Sequence, residues 1–305
     1  MEPVIKHFEK MGARIKLIEF APQTTSTTKT NPKTGERTVK LSPLTAPDNR
    51  FTIDVRKDKR GSFFEVHKGK DVDLSISGVD AKDRHLLLNV KTPSVPKRVV
   101  ANRWFVQNME AEDAHFAKFL CGHDERDWFV SSISSAASDV RSAKESLKPV
   151  VVRQIQNRIG VKTSDRNRRR NEAYVRQGEW FFVPSPTLQV KDNLILRNEP
   201  ISRGRGSKPH ICEELYRTGG TDVHVHSSHA PQGVTEKAFK GLSEVMRRAP
   251  GWRNMKRDPE AYVRGYVRHS DHKTLHLKGW HRVYMNNEGV SVGGATTQWG
   301  NVFLD

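Results

Sequence analysis

Cysteine is nearly missing from this chain: there are two among 305 residues, Cys121 and Cys212. Two thiols so far apart make neither a disulfide framework nor a cysteine-rich zinc module, and they fit a reducing compartment. Long apolar runs are missing as well. No window approaches the ~18 uninterrupted apolar residues of a membrane helix, so no membrane contact is expected. The N-terminal segment Met1-Glu-Pro-Val-Ile-Lys-His-Phe-Glu-Lys10 has an acidic second residue and no apolar core of signal-peptide length. With the thiols, that predicts a cytoplasmic protein. Three catalytic signatures are also missing. The chain has no Gly-x-x-x-x-Gly-Lys-Ser/Thr, no dinucleotide fingerprint following a strand, and no Gly-x-Ser-x-Gly, which removes P-loop enzymes, dinucleotide-binding oxidoreductases and hydrolases with a nucleophile elbow. No repeat recurs at a fixed period, which excludes a regular solenoid.

What the chain has in excess is positive charge. Lysine and arginine number 52 against 35 acids, a formal net charge of +17. Such a field draws in polyanions from a distance. The excess is uneven: residues 1–150 carry 26 cations and 20 acids, residues 151–305 carry 26 and 15. The second half is therefore the better candidate for a polyanion contact. Hydrophobic residues are 35% of the chain, low for a globular protein, but they fall in short periodic runs that can still build cores.

At this length two domains are expected. Strand patterns fill the first hundred residues. Arg14–Phe20 suits a strand; Phe51–Val55 and Ser62–Val66 alternate and are joined by a turn at Lys57–Gly61, a hairpin; Val72, Leu74 and Ile76 alternate again, and His85–Val90 follows. Together these predict one antiparallel sheet or small barrel. Residues 21–47, rich in Thr, Pro, Lys and Asn, read as an exposed loop or hairpin. Helix is expected at Ala111–Leu120, where Phe116, Phe119 and Leu120 share a face, at Asp139–Lys148, and at Val150–Ile159 between Pro149 and Gly160. The second half returns to strands, at Glu179–Val183, Asn193–Arg197, Asp222–His226, Tyr262–Arg268, Thr274–Leu277, His281–Met285 and Thr296–Phe303, with a helix at Thr235–Arg248. The predicted class is α+β: a β-rich domain over 1–108, a helical, basic connector over 109–172, and a β-rich domain over 173–305.

Three cationic patches stand out. The segment 153–176 holds eight cations against two acids, and seven of the eight are arginine: Arg153, Arg158, Arg166, Arg168, Arg169, Arg170 and Arg176. Arginine is favoured where a planar fork must grip phosphate, and each neutralised phosphate adds salt-dependent affinity. Arg203, Arg205 and Lys208 sit among glycines in a second patch. Arg253 and Arg257 belong to a third, with Arg247, Arg248 and Lys256 and with Trp252 inside it. Trp252 and Trp180 read as semi-buried anchors before stacking platforms. The leading expectation is a nucleic-acid-binding protein, RNA or single strands favoured, that grips mainly the phosphate backbone.

Histidine is the other concentration. Eight of the 13 histidines lie between His210 and His281. In Asp222-Val-His-Val-His-Ser-Ser-His229, strand alternation puts Asp222, His224 and His226 on one face, a ligand pattern for zinc or manganese. His269 and His272 offer a second pair across a turn, and the two segments complete one metal site if they meet in one sheet. Asp222-x-His224-x-His226-Ser227 resembles the first strand motif of the polymerase-and-histidinol-phosphatase hydrolases. The resemblance spans this short segment alone, and the long barrel that family needs downstream does not fit in the 76 residues after His229. His226-Ser-Ser228 and His272-Lys-Thr274, placed on neighbouring strands, are similar to the two-histidine phosphoesterases. That resemblance implies catalysis by His226 and His272, each exchanging a proton at phosphorus while the hydroxyls hold phosphate oxygens. A phosphoesterase or nuclease, with or without metal, is thus the alternative to simple binding. A third reading is a basic structural component of a larger assembly, meeting an acidic protein partner or its own copies. Cys121-Gly-His123 reads as a structural junction with Trp128 and Phe129 buried, not as a nucleophile and base.

Overall fold

A computed structural model describes residues 2–21, 47–94, 113–203 and 208–288 with their side chains, and the strands at 24–30, 37–43, 98–102, 105–109 and 303–304 by their backbone. The chain is mostly β-sheet, in several sheets, with few and short helices. It divides into two compact units, built on Met1–Ser146 and Leu147–Asn287. Among the described residues no helix is long and apolar enough to cross a membrane.

The first unit runs α1 (Glu2–Lys10), β1 (Ile15–Glu19), β2 (Thr24–Thr30), β3 (Arg37–Pro43), β4 (Phe51–Asp58), β5 (Gly61–Lys68), β6 (Asp73–Asp80), β7 (His85–Thr92), β8 (Arg98–Asn102), β9 (Phe105–Met109), β10 (His115–Asp124), β11 (Asp127–Ile133) and α2 (Val140–Leu147). Two sheets make its core, one ordered β1-β5-β4 and the other β11-β10-β7-β6. The expected hairpin forms, with Asp58 opposite Gly61 across β4 and β5. The single antiparallel sheet does not form: β1 runs parallel to β5, and β6 and β7 belong to the other sheet. In the 21–47 segment β2 and β3 pair antiparallel, and residues 31–36 between them lie outside the described residues.

Two departures from the sequence reading have a physical cause. The N-terminal helix α1 was not expected. Its Val4 and Phe8, four residues apart, bury one face, and the Phe8 ring meets Phe64 edge-on at 5.0 Å. Of the stretch expected as helix at 111–120, residues 111–112 lie outside the described residues, and 115–120 belong to the strand β10, held between β7 and β11. The misleading signal was the spacing of Phe116, Phe119 and Leu120. In the strand Ala117, Phe119 and Cys121 join this core with a period of two, while Leu120 is buried on the opposite face and Phe116 is exposed. Among its described residues the connector over 109–172 is therefore helical only at α2 and in the helix that follows it; β10 and β11 are sheet. The Cys121–Trp128 stretch is the β10–β11 hairpin, with Glu125 in the left-handed region at its tip. Cys121 is buried, burial pushes its thiol far up, and the His123 ring packs edge-on against Trp128.

The second unit runs α3 (Val150–Arg158), β12 (Val175–Gln177), β13 (Trp180–Pro184), a 3-10 turn (Asp192–Leu194), β14 (Leu196–Ile201), β15 (His210–Thr218), β16 (Thr221–His226), β17 (Ala230–Thr235), α4 (Glu236–Lys240), α5 (Glu244–Arg247), β18 (Arg253–Arg257), β19 (Glu260–Arg268), β20 (Leu275–Met285) and β21 (Phe303–Leu304). A six-stranded antiparallel sheet is ordered β12-β13-β20-β19-β15-β14, and a four-stranded one β17-β16-β18-β21. One face of the larger sheet carries Trp180, Phe182, Cys212, Leu215, Val263, Val267 and Leu277, the main core of this unit.

Here too the pattern was partly misread. The strands expected at 274–277 and 281–285 are one, β20, continued through Gly279 at φ 86° beside a register shift opposite Val263 and Gly265. A glycine in mid-strand reads as a stop in sequence but here absorbs a bulge. The helix expected at 235–248 splits in two, because Thr235 and Ser243 each cap a fresh start and Gly241 ends the first piece. The strand β15 was not expected, and β14 starts three residues later than predicted. Of the strand expected at 296–303, residues 296–302 lie outside the described residues.

Candidate functional site

The basic segment folds as a cap over the second face of the larger sheet. Val152 and Ile155 of α3, with Val161, Ala173 and Tyr174 of the loop that follows, pack on Phe181 and Val183 of β13 and Tyr284 of β20. The loop is held from inside. The Arg166 carbonyl accepts from Lys148 Nζ at 2.7 Å, Gln156 Nε2 at 2.8 Å and Tyr174 OH at 2.9 Å. Lys148 and Gln156 are almost completely buried, and Lys148 Nζ also donates to Gln156 Oε1 at 3.0 Å. A buried ammonium that gives its protons to a carbonyl and an amide ties α3 to the loop, because leaving any of these groups unpaired there is costly. The cations rest on this frame. Arg158, Lys162, Arg168 and Arg170 are exposed, Arg153, Arg166, Arg169 and Arg176 half-buried. Arg168 pairs with Asp165 at 3.0 Å, Arg166 donates to Asn157 Oδ1, and Arg176 to Gly178 O.

Beyond the cap the same sheet face is open and lined by aromatics and arginines. Alternation puts Tyr262, Arg264, Tyr266 and Arg268 of β19 opposite the core residues Val263 and Val267, and His276, Lys278, Trp280 and Arg282 of β20 opposite Leu277. The Arg264 guanidinium sits 4.8 Å from the Trp280 ring centre and that of Arg282 4.9 Å from Tyr284. Both are also ion-paired, Arg264 with Glu214 and Arg282 with Glu260. Farther along, Tyr266 and His276 stack with centroids 4.6 Å apart; Tyr266 is 45% exposed and His276 is exposed. Arg268 and Lys278 flank them, both exposed, with Arg268 donating to Asn198 Oδ1. No sequence feature singled out this aromatic pair, since its two residues belong to different strands.

The other two cationic patches are elsewhere in the unit. In the second, Arg203 is half-buried, Lys208 makes two 2.8 Å contacts with Asp271, and Arg205 lies outside the described residues. The third, with Arg253 and Arg257, is the strand β18 of the smaller sheet.

The histidines separate into two groups. Asp222, His224 and His226 lie on β16 in the smaller sheet, whereas His269 and His272 are in the β19–β20 turn of the larger one. The five-residue metal site is therefore not assembled, and the His226–Ser228 and His272–Thr274 elements are not on neighbouring strands. His224 and His226 do share a face, but an aromatic wedge fills it. His224 stacks on Phe239 at 4.1 Å, Phe239 meets Trp252 at 4.8 Å, and Trp252 lies 5.2 Å from His226. Asp222 pairs with Lys256, and His224 with Glu236, whose carboxyl that histidine holds below its ordinary range. Both ring nitrogens of His226 are taken by backbone: Nδ1 accepts from Ser228 and His229 N–H, and Nε2 donates to Pro250 O at 3.1 Å. That ring fastens a turn and is not poised for proton transfer.

What the structure does assemble is a different triad. His269 and His272 meet His210, the first residue of β15, with ligand nitrogens all within 4.8 Å of one another. The rings form a stack: His210 is 4.1 Å from His269 and 5.6 Å from His272, and His269 is 4.7 Å from His272. β15 pairs with β19 so that Ile211 faces Arg268, which brings their adjoining ends together. Burial, then the nearby His269 and His272, hold the His210 imidazole down to about 3. The ring is therefore neutral, with a free lone pair, at any physiological pH. Asp271 N–H donates to His269 Nδ1 at 3.1 Å, and His269 Nε2 lies 3.3 Å from Lys208 O. Sequence reasoning passed over His210 as a ligand because β15 was not recognised.

Comparison of the chain with known protein families, with characterised proteins and with solved structures finds no match.

Proposed function

We propose that the second unit binds single-stranded nucleic acid, RNA above all. Phosphates are gripped by the exposed cations of the cap, Arg158, Lys162, Arg168 and Arg170, and bases stack on the Tyr266–His276 pair of the open sheet face. The observation that carries the reading is the sharing of one sheet face by a rigidly anchored arginine loop and an exposed aromatic pair flanked by Arg268 and Lys278. Stacking on an aromatic platform is tolerant of sequence and contributes ~1–3 kcal/mol per base, while the cations supply salt-dependent attraction. A strand's π-faces are accessible only when unpaired, so the pairing of charge with aromatics favours single strands over duplex.

The test is binding of labelled mixed-sequence RNA, single-stranded DNA, duplex DNA and polyglutamate by the purified protein, with the absorbance ratio at 260 and 280 nm checked first to confirm removal of carried nucleic acid. RNA and single-stranded DNA should bind most tightly, and Tyr266→Ala should weaken both by ~5–100-fold while leaving duplex DNA unaffected. Polyglutamate binding as tight as RNA would replace this reading with an acidic protein partner. Equal losses on single strand and duplex would show that Tyr266 supports the fold and does not stack bases.

A further inference from the structure

His210 is an anomaly for a soluble fold. It is 1% exposed, and neither of its ring nitrogens meets a hydrogen-bond partner among the described residues. Leaving a buried polar group unpaired costs ~1–3 kcal/mol, and native structures satisfy nearly all of them. The ring lies instead in a pile with two more imidazoles. A ligand that accepts lone pairs from all three rings at once removes the anomaly.

We propose that His210, His269 and His272 form a binding site for a divalent transition-metal ion of the zinc class, with a fourth coordination position open. Three neutral nitrogen donors and no carboxylate in the set favour zinc over magnesium, calcium or manganese. Three protein ligands with one position left is the arrangement of zinc sites that take water or substrate.

The surroundings fit. The His269 ring is already oriented by the Lys208 carbonyl, the kind of outer contact that fixes ligating histidines. The Asp271 carboxylate beside the turn is itself held by Lys208 and Ser270. The Gly178 backbone closes the site on the His272 side. A Cβ there would come within 2.7 Å of His272 Nε2, and at φ 55° the position already favours glycine. Tetrahedral coordination at ~2.1 Å puts ligand nitrogens ~3.4 Å apart, so the 4.8 Å triad must contract. The rings turn out of their stack toward a common centre, and His269 exchanges one of its two long backbone contacts for the metal.

The experiment is titration of the full chain, stripped with chelator and desalted, with Co2+ followed by visible absorption, then displacement by Zn2+. The expected result is one Co2+ per chain with the strong visible bands of a four-coordinate site, lost on adding Zn2+. His269→Ala and His272→Ala should each weaken Co2+ binding by more than the ~10–100-fold that loss of an outer-shell partner costs. His229→Ala, which removes an exposed histidine outside the triad, should leave the titration unchanged. A wild-type chain that takes up no stoichiometric Co2+ overturns the proposal, as does equal binding by wild type and both triad variants. The wild-type titration decides the matter even if a variant fails to fold. It is also independent of nucleic-acid binding, which the triad does not enter.

Discussion

Removing three exposed cations of the cap, as Arg158→Ala, Lys162→Ala and Arg170→Ala together, is the sharpest perturbation of the proposed phosphate surface. These three are chosen because they stand at the surface outside any ion pair among the described residues, whereas Arg168 is partly spent on Asp165. None of their side chains enters the frame of Lys148, Gln156, Tyr174 and the Arg166 carbonyl, so the fold should be unaffected. If each meets one phosphate of a single strand, the slope of log K against log salt should become shallower by about 0.7 per contact, or about 2 in all. The same relation makes the loss salt-dependent: about 50-fold near 0.15 M salt but only about fourfold near 0.5 M. Fluorescence anisotropy with a labelled mixed-sequence RNA over a range of salt gives both numbers. Lys10→Ala, Lys59→Ala and Lys82→Ala together, which remove the same charge from exposed positions of the first unit, control for the general field. That control should shift the curve slightly without changing its slope by a comparable amount. A loss that is the same at every salt, or the same for both triples, refutes the reasoning. The first would mean that the cations do not meet phosphates, the second that only net charge matters.

Two further outcomes concern the first unit. Burial, then repulsion from Lys144, lowers the His85 imidazole to about 4. Above its unfolded value near 6.5 both states are neutral; below it the unfolded chain takes up the proton first, so stability falls by up to about 1.4 kcal/mol per pH unit until about pH 4. Urea denaturation at pH 7.5 and 5 should show a loss to which His85 contributes up to ~2 kcal/mol, reduced by solvent at the half-buried ring, so that the loss is smaller by that amount in His85→Gln; an unchanged pH dependence in that variant would remove His85 as a cause. Gly69→Ala should destabilise by about 1–3 kcal/mol or more, because its Cβ would overlap the Asp48 carbonyl oxygen. That oxygen cannot easily yield, since Arg50 holds the Asp48 carboxylate and Asp71 its backbone N–H; a melting temperature equal to wild type would show that the 48–50 turn moves freely.

How much of this was legible in the sequence depended on whether the decisive neighbours were local. The β4–β5 hairpin was, because alternation and turn lie within one short stretch, and so were α2 and α3, bounded by Pro149 and Gly160. The strand β10 was not, because its helical spacing competes with a period of two that matters only once β7 and β11 lie on either side. Net charge drew attention to 153–176, but not to why it is rigid. The buried Lys148 is coded as one more surface cation, and its carbonyl partner Arg166 is named for a side chain that plays no part in the contact. The histidines make the same point most sharply. Asp222-x-His224-x-His226 had the better local pattern, yet Phe239 and Trp252 occupy its face and the backbone claims His226. The triad that does come together joins His210 to residues about sixty positions later, and only the pairing of β15 with β19 reveals it. Local spacing can propose ligands; convergence is a property of strand order, and strand order was the part of this fold that short motifs could not carry. The two proposals inherit that difference. The phosphate surface rests on a feature visible in composition and is tested by charge. The metal centre rests on a juxtaposition that the topology alone creates, so it stands or falls with His210 as well as with the pair that the sequence suggested.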